Sequence, residues 1–152
     1  QRPFVRVSAQ AAYRSGRAHE DLVAITGLLE GGTVTSHLVN WLSPMKERVT
    51  VITGEKGAFV CDTLTADLTY YANGTTARAW DDVANFRGVS EGDVVRYAIA
   101  KPEPLRTEHE AFRDAVLGKA SDIVTLEQGV RIVEVAEAVL ESAASGQVVR
   151  LA

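Results

Sequence analysis

Hydrophobic and polar residues alternate along the first two-thirds of the chain, the pattern of β-strands with two unlike faces. Residues 21–29 (DLVAITGLL) are apolar on both faces, as in a central strand. The other segments of strand character are residues 4–10, 33–42, 48–53, 58–61, 67–72 and 93–100. Turn sequences between them include Glu30-Gly31-Gly32, Ser43-Pro44 and Gly54-Glu55-Lys56-Gly57. The pattern predicts strands that pair mainly with their neighbours along the chain.

The period changes to that of a helix after Pro102 and Pro104. Residues 105–117 place apolar side chains along one stripe, and Gly118 follows where a helix commonly ends. A second helix is predicted to begin at the capping box T-x-x-Q of residues 125–128 and to end at Gly146. Residues 147–151 (QVVRL) predict a short final strand.

Strands that precede two helices predict an α+β domain with a largely antiparallel, open-faced sheet. Two main helices can cover one face of such a sheet, so we expect the other face to stay open. An open apolar face usually packs against another subunit. The length of 152 residues suits one domain, so we expect residues 1–152 to form a single unit.

One segment, residues 75–92, is polar and follows neither period, with Trp80 and Phe86 as its only anchors. Just before it, Asn73-Gly74-Thr75 fits a glycosylation acceptor. Asn-Gly is also the commonest sequence of a two-residue hairpin turn, and we predict a turn there.

Composition and charge exclude several classes of protein. Lysine and arginine number 16 and aspartate and glutamate 20, which gives a formal net charge of −4. A mildly acidic chain without a basic stripe is a poor nucleic-acid binder. No apolar run approaches the length of a membrane span. Cys61 is the only cysteine, which rules out an internal disulfide and a cysteine zinc site and fits a cytoplasmic protein.

The start of the sequence does not look like a translation start. The first residue is Gln1, and the only methionine is Met45. We therefore expect that this domain belongs to a longer protein.

No complete catalytic set can be assembled from the residues alone. The sequence has no G-x-S-x-G elbow, P-loop or G-x-G-x-x-G turn. His19 stands beside Glu20 and Asp21 and could act as a base, although a loop that enters a strand explains the same residues. His37 lies within a strand, and His109 is expected to be partly buried along the first helical stripe.

Two polar segments are candidates for the rim of a pocket. The loop after the first strand contains Tyr13, Arg14, Arg17 and His19, which could hold a phosphate or a sugar or could simply be solvated. The turn NWLSPMKERV contains Trp41, Lys46 and Arg48. There an aromatic ring could stack on a sugar while cations bind a phosphate or carboxylate. The alternative is that Trp41 lies in the core or in a dimer interface and that the cations are solvated.

Taken in order, these features resemble the C-terminal domain of the glucose–fructose oxidoreductase / inositol dehydrogenase / MocA (Gfo/Idh/MocA) family. The shared features are a strand, an E-G-G turn, a strand that ends in N-W, a basic turn, and a V-x-x-G-x-x-G hairpin followed by an aspartate. Further along, PEPLRTEHEAFRDAVLGK is similar to the family's P-L-x-x-E-x-x-A-F helix, with Leu105, Glu108, Ala111 and Phe112 in place. The NWLSP-x-K detail is most similar to bacterial sugar-nucleotide dehydrogenases.

The resemblance implies a two-domain enzyme that uses NAD or NADP on a sugar, sugar nucleotide or polyol. Its N-terminal Rossmann domain would carry the cofactor site and a catalytic lysine in a Glu-Lys-Pro motif, and a following helix would carry a histidine. None of these motifs occurs here, so we expect this chain alone to bind no cofactor and to catalyse no hydride transfer.

The resemblance also gives this chain a C-terminal domain of the glyceraldehyde-3-phosphate dehydrogenase-like type. Such a domain would form one wall of the substrate pocket, contact its own Rossmann domain and associate with a second copy through the open sheet. Two alternatives stay open at this point: a stand-alone non-catalytic ligand-binding or scaffold module, and a small dimeric isomerase that uses His19 with Glu20 or Asp21.

Overall fold

The computed structural model describes residues 2–74 and 90–151, and the chain divides into two compact units. The first unit is Gln1–Pro44 with Ala111–Ala152, and the second is Met45–Glu110. The strands are β1 (Phe4–Ala12), β2 (Leu22–Leu29), β3 (Val34–Asn40), β4 (Val49–Gly54), β5 (Gly57–Asp62), β6 (Asp67–Gly74), β7 (Ser90–Tyr97) and β8 (Val149–Arg150). The described helices are α1 (Pro104–Val116) and α2 (Leu126–Ser145).

The first unit is built on an antiparallel sheet of order β3-β2-β1-β8. Gly31 and Gly32 connect β2 to β3 with φ angles of 84° and 88°, which side chains with a Cβ rarely adopt. This explains why the turn between these two strands is Glu-Gly-Gly.

Helix α2 packs on strand β1 and makes the core of the first unit. The buried apolar side chains are Val7, Ala9, Val23, Ala138 and Val139. Burial of this kind contributes roughly 25 cal/mol per Å² of apolar surface, so it holds the helix against the central strands.

Both ends of α2 are formed as the sequence predicts. Thr125 Oγ1 accepts a hydrogen bond from Gln128 N at 3.3 Å, and Gln128 Oε1 accepts one from Thr125 N at 2.9 Å. At the other end Gly146 has φ 69°, and its N–H donates to the Ser142 carbonyl at 2.8 Å. The capping box and the C-terminal glycine are therefore confirmed.

The second unit is built on an antiparallel sheet of order β4-β5-β6-β7. Glu55 and Lys56 form the turn between β4 and β5, between the paired residues Gly54 and Gly57. One aromatic cluster lies on this sheet, where the ring centroids of Phe59 and Tyr70 are 4.7 Å apart and those of Phe59 and Tyr97 are 6.5 Å apart.

The α+β class and the antiparallel strand pairing are confirmed. The strands form two sheets of four where the pattern suggested one, because the chain leaves the ladder after Asn40 and β4 pairs with β5. Asn40 Oδ1 accepts from Leu42 N at 2.7 Å, and this local turn ends β3 two residues earlier than predicted.

Two details of the sequence prediction are wrong. The hairpin turn predicted at Asn73-Gly74 is part of β6, with Asn73 paired to Glu91 and Gly74 to Ser90. The irregular segment predicted over residues 75–92 therefore ends earlier, because β7 begins at Ser90. Residues 75–89, with Trp80 and Phe86, lie outside the described residues.

Across residues 2–74 and 90–151, no helix has the length and apolar character needed to cross a membrane.

Candidate functional site

The loop over residues 13–21 and the segment that begins at Trp41 leave the same end of the first sheet. Ala12 at the end of β1 pairs with Leu22 at the start of β2, and Leu22 pairs with Asn40 at the end of β3. Antiparallel pairing therefore brings the Tyr13–His19 candidates and Trp41 to one edge of the unit.

A buried carboxylate holds this loop in place. Asp21 is only 1% exposed, and its Oδ2 accepts from Arg14 N at 2.6 Å and from Ser15 N at 2.7 Å. Its Oδ1 accepts from Ser15 Oγ at 2.5 Å. Buried charge is stable only when it is satisfied in this way.

The same network extends to the second arginine of the loop. Ser15 Oγ, which donates to Asp21, also accepts from Arg17 N at 3.4 Å. Gly16 between them has φ 79°, a conformation that suits glycine in a tight turn. The main chain at Arg14 and Arg17 is thus tied to one carboxylate, directly or through Ser15.

Hydrogen bonding lowers the pKa of Asp21 below its ordinary value of 3.8. The hydroxyl of Ser15 is the largest cause, followed by the N–H groups of Ser15 and Arg14, while the charge of Arg17 acts in the same direction. Burial opposes these effects. Asp21 is therefore ionised at neutral pH and acts as an acceptor.

The main chain of Asp21 also joins the loop to the neighbouring strands. Its N–H donates to the Ala12 carbonyl at 2.9 Å, and its carbonyl accepts from Trp41 N at 2.8 Å. The side chain of Trp41 is 73% exposed. The interpretation of Trp41 as a core residue is therefore wrong. Two interpretations remain, which are stacking on a ligand and contact with a partner.

The candidates of the loop present their side chains to solvent. Tyr13, Arg14, Arg17 and His19 are all exposed. In the described part of the chain, the guanidinium groups of Arg14 and Arg17 form no ion pair within 4.0 Å. An exposed tyrosine and two available cations suit a ligand that carries hydroxyl and phosphate or carboxylate groups.

The other two candidates of the NWLSPMKERV turn belong to the second unit. Lys46 and Arg48 are exposed, and the Arg48 carbonyl accepts from Thr63 N at 3.1 Å. The turn between β5 and β6 thus holds the main chain at Arg48.

The histidines do not form a catalytic pair in the described residues. The carboxylate of Asp21 is bonded to Arg14 and Ser15 and not to His19, so the isomerase alternative that pairs His19 with Asp21 has no support. His37 is exposed on β3 with its ring centroid 6.3 Å from that of Phe4. His109 is exposed on α1, so the prediction of partial burial is wrong. Nor do the described histidines, cysteines and acidic residues gather in groups of three that could hold a metal ion.

The chain was compared with protein families, and residues 3–151 match the Gfo/Idh/MocA model described as the oxidoreductase family, C-terminal alpha/beta domain. The chain belongs to this family. The search of curated proteins found no match.

Several solved structures share the fold of this chain. UDP-N-acetylglucosamine 3-dehydrogenase GnnA from Acidithiobacillus ferrooxidans superposes with a TM-score of 0.76 at 19% identity, covering 95% of this chain and 43% of that one. WlbA dehydrogenase from Bordetella pertussis, in complex with NADH and UDP-GlcNAcA, gives 0.66 at 20% identity, covering 99% and 39%. The super-repressor mutant of Gal80p from Saccharomyces cerevisiae gives 0.70 at 15% identity, covering 98% and 44%. The chain spans about two-fifths of the length of these proteins.

Within this Gfo/Idh/MocA domain, sequence reasoning missed the role of Asp21 and Ser15 in ordering the loop. Asp21 opens the apolar run of β2, so it was assigned to the strand. The available signal was an aspartate placed six residues after Ser15, because aspartate and serine side chains commonly hold the N–H groups of turns.

Proposed function

We propose that this chain is the substrate-binding and oligomerisation domain of an NAD(P)-dependent dehydrogenase that acts on a sugar, sugar nucleotide or polyol. The observation that carries the proposal is the family match over residues 3–151. GnnA is a dehydrogenase of a sugar nucleotide, and WlbA was solved with NADH and UDP-GlcNAcA. The two units would together form one domain of a cytoplasmic enzyme.

In this proposal the catalytic groups lie in a separate N-terminal Rossmann domain. That domain would bind NAD or NADP and provide the catalytic lysine, while this one binds no cofactor. The chain covers only 39% of the NADH-bound WlbA chain, which is consistent with a division of tasks between domains.

The proposed substrate site is the loop end of the first sheet. Tyr13 and Trp41 offer exposed aromatic faces, which pack well against the C–H faces of a sugar. Arg14 and Arg17 offer guanidinium forks that match phosphate or carboxylate groups, and His19 offers a further polar group. Lys46 and Arg48 belong to the second unit and are proposed separately as substrate-binding cations, because both are exposed.

The proposed oligomer forms through an open face of the second sheet. Ile52, Phe59, Tyr70 and Val95 are direct cross-strand neighbours, so their side chains form one row on one face. Ile52 is 60% exposed and Val95 is 42% exposed. Aromatic and aliphatic side chains are typical of the cores of subunit interfaces, and a second copy would cover this row.

Adjacent residues on opposite faces allow a matched test of the oligomer. Ile52→Asp places a charge in the row, and Val51→Asp places the same charge on the other face, where Val51 is 61% exposed. We expect Ile52→Asp to turn the full-length oligomer into monomers in sedimentation velocity, whereas Val51→Asp leaves it intact. The reverse result, or an oligomer that survives both changes, would overturn the assignment of this face.

The substrate site is tested by kinetics on the full-length gene product. UDP-N-acetylglucosamine, glucose and myo-inositol would be supplied with NAD⁺ and with NADP⁺. Loss of a hydrogen bond to a charged group costs about 1.5–3 kcal/mol, so Arg14→Ala and Arg17→Ala should each raise KM by about tenfold or more. Arg131→Ala, an exposed arginine of α2, serves as the control and should leave KM unchanged. No turnover with any of the three compounds would overturn the proposal.

A second candidate is a non-catalytic ligand-binding or scaffold module. The similarity to the super-repressor mutant of Gal80p favours it, because this fold is found in a protein described as a repressor. The two candidates differ in the intact mass of the protein from its natural source. A mass that corresponds to a chain starting near Gln1 would favour the second.

A further inference from the structure

We propose that Asp21 is a positioning residue that fixes the substrate-binding loop through its carboxylate and Trp41 through its carbonyl. This inference rests on the proposed function of the loop end of the first sheet. It adds a residue that touches no substrate but fixes the main chain from which the substrate-binding side chains extend.

The carboxylate acts on the two arginines by different routes. Oδ2 holds Arg14 N at 2.6 Å, so it fixes the point from which that side chain extends. Oδ1 holds Ser15 Oγ at 2.5 Å, and Ser15 Oγ accepts from Arg17 N at 3.4 Å. The second arginine is therefore positioned through Ser15, by a weaker and longer contact.

The carboxylate leaves the guanidinium groups available for a ligand. Its described hydrogen bonds all come from main-chain N–H groups or from the Ser15 hydroxyl, and not from arginine side chains. The side chains of Arg14 and Arg17 remain exposed. A buried acceptor that binds main-chain N–H groups and a neighbouring hydroxyl can order the loop without competing for the cations that would hold a phosphate or carboxylate.

The carbonyl of the same residue reaches the other half of the proposed site. It accepts from Trp41 N at 2.8 Å, and the Asp21 N–H donates to the Ala12 carbonyl at 2.9 Å. Changing the side chain of Asp21 leaves both main-chain bonds possible. The substitution should therefore release the loop while Trp41 keeps its place.

The test measures kcat and KM of the full-length gene product with the panel compound that it turns over best. Asp21→Ala should raise KM by about tenfold or more with kcat within about threefold, because ordering of a binding loop affects substrate binding. Ser15→Ala, which removes only the hydroxyl, should raise KM by about threefold, and Ser15→Thr, which keeps it, should restore the wild-type value.

A matched control has the same chemistry elsewhere. Glu103 accepts from Arg106 N at 2.6 Å and from Leu105 N at 3.3 Å at the start of α1. Glu103→Ala therefore also removes a carboxylate that orders local main chain, and it should leave KM unchanged. A role that is only structural would lower the amount of active enzyme, and hence the apparent kcat, without this selective change in KM.

The outcomes separate the inference from the proposed function. If Arg14→Ala and Arg17→Ala raise KM while Asp21→Ala and Ser15→Ala do not, the loop binds substrate and the positioning role is overturned. If the arginine variants leave KM unchanged, the proposed site is wrong and the inference fails with it. If Asp21→Ala does not fold, Ser15→Ala and its rescue by Ser15→Thr decide the question in the same way.

Discussion

Ser142 on α2 gives the most direct test of how the first unit is held together. Its side chain is fully buried, its Oγ accepts from Ala9 N at 3.0 Å, and it donates to the Gln147 carbonyl at 2.6 Å. Strand β8 pairs with β1 only at Arg6 and Val7, so it does not reach Ala9. Ser142 therefore satisfies the Ala9 N–H on the side of β1 that β8 does not reach.

Replacing Ser142 by alanine should destabilise the protein by about 2–3 kcal/mol. A buried donor or acceptor that loses its partner costs roughly 1–3 kcal/mol, and this change leaves the Ala9 N–H and the Gln147 carbonyl without the hydroxyl. The better helix propensity of alanine returns only a few tenths of a kcal/mol. The weakened contacts should be those between α2 and the central strands.

The assay combines urea denaturation with hydrogen exchange at the Ala9 amide. Ser145→Ala is the control, because Ser145 lies on the same helix and its Oγ accepts from Gln147 N in an exposed contact of 3.2 Å. We expect Ser145→Ala to lower the free energy of unfolding by less than about 0.5 kcal/mol. The reasoning would be refuted if Ser142→Ala cost no more than Ser145→Ala and the exchange rate of the Ala9 amide did not change.

Two further predictions concern backbone strain and acid pH. Ala66 has φ 52°, which costs a residue with a Cβ roughly 1–2 kcal/mol, so Ala66→Gly should stabilise the protein by about 0.5–1 kcal/mol after the extra freedom of glycine in the unfolded chain is subtracted. Ala58→Gly within β5 should instead destabilise the protein. A change of the unfolding temperature in the same direction for both variants would contradict the argument. Because hydrogen bonds lower the pKa of Asp21, its contribution is fully present above the ordinary value of 3.8 and is lost as the pH falls through the lower folded value. The NMR signal of the Ser15 amide should therefore titrate below pH 3.8, and a midpoint at or above 3.8 would count against the network.

Elements that depend on local sequence were predictable. The Thr125 capping box, the Glu-Gly-Gly turn and the end of α2 at Gly146 follow from neighbouring residues, and each is present in the structure. Segments with a clear period of two became strands, since the alternation itself determines which face is buried.

The errors arose where distant residues decide the local structure. Asn73-Gly74 has the sequence of a hairpin turn, but Asn73 N bonds to the Lys56 carbonyl at 3.0 Å and Asn73 Nδ2 bonds to the Glu55 carbonyl at 2.9 Å. The turn between β4 and β5 thus holds Asn73, and β6 continues past a shift in register after Tyr71. Tertiary contacts of this kind cannot be read from a local motif.

The candidate site was predicted in part for the same reason. The loop arginines and Trp41 were candidates in the sequence, with a core position of Trp41 left open, and the structure brings Arg14, Arg17 and Trp41 to one end of the first sheet. Asp21 did not stand out as a loop anchor, because its importance comes from three hydrogen bonds that form only when the loop folds back. The sequence thus indicated candidate binding groups and not the residue that orders their loop.

The central claim is that this domain holds the substrate while another domain holds the nicotinamide. The most direct measurement compares the full-length protein with its Arg14→Ala/Arg17→Ala double variant, using KM for the sugar substrate and the Kd for NADH. We expect KM to rise by at least about tenfold while the Kd for NADH stays the same. An unchanged KM, or a loss of NADH affinity as large as the rise in KM, would contradict this account.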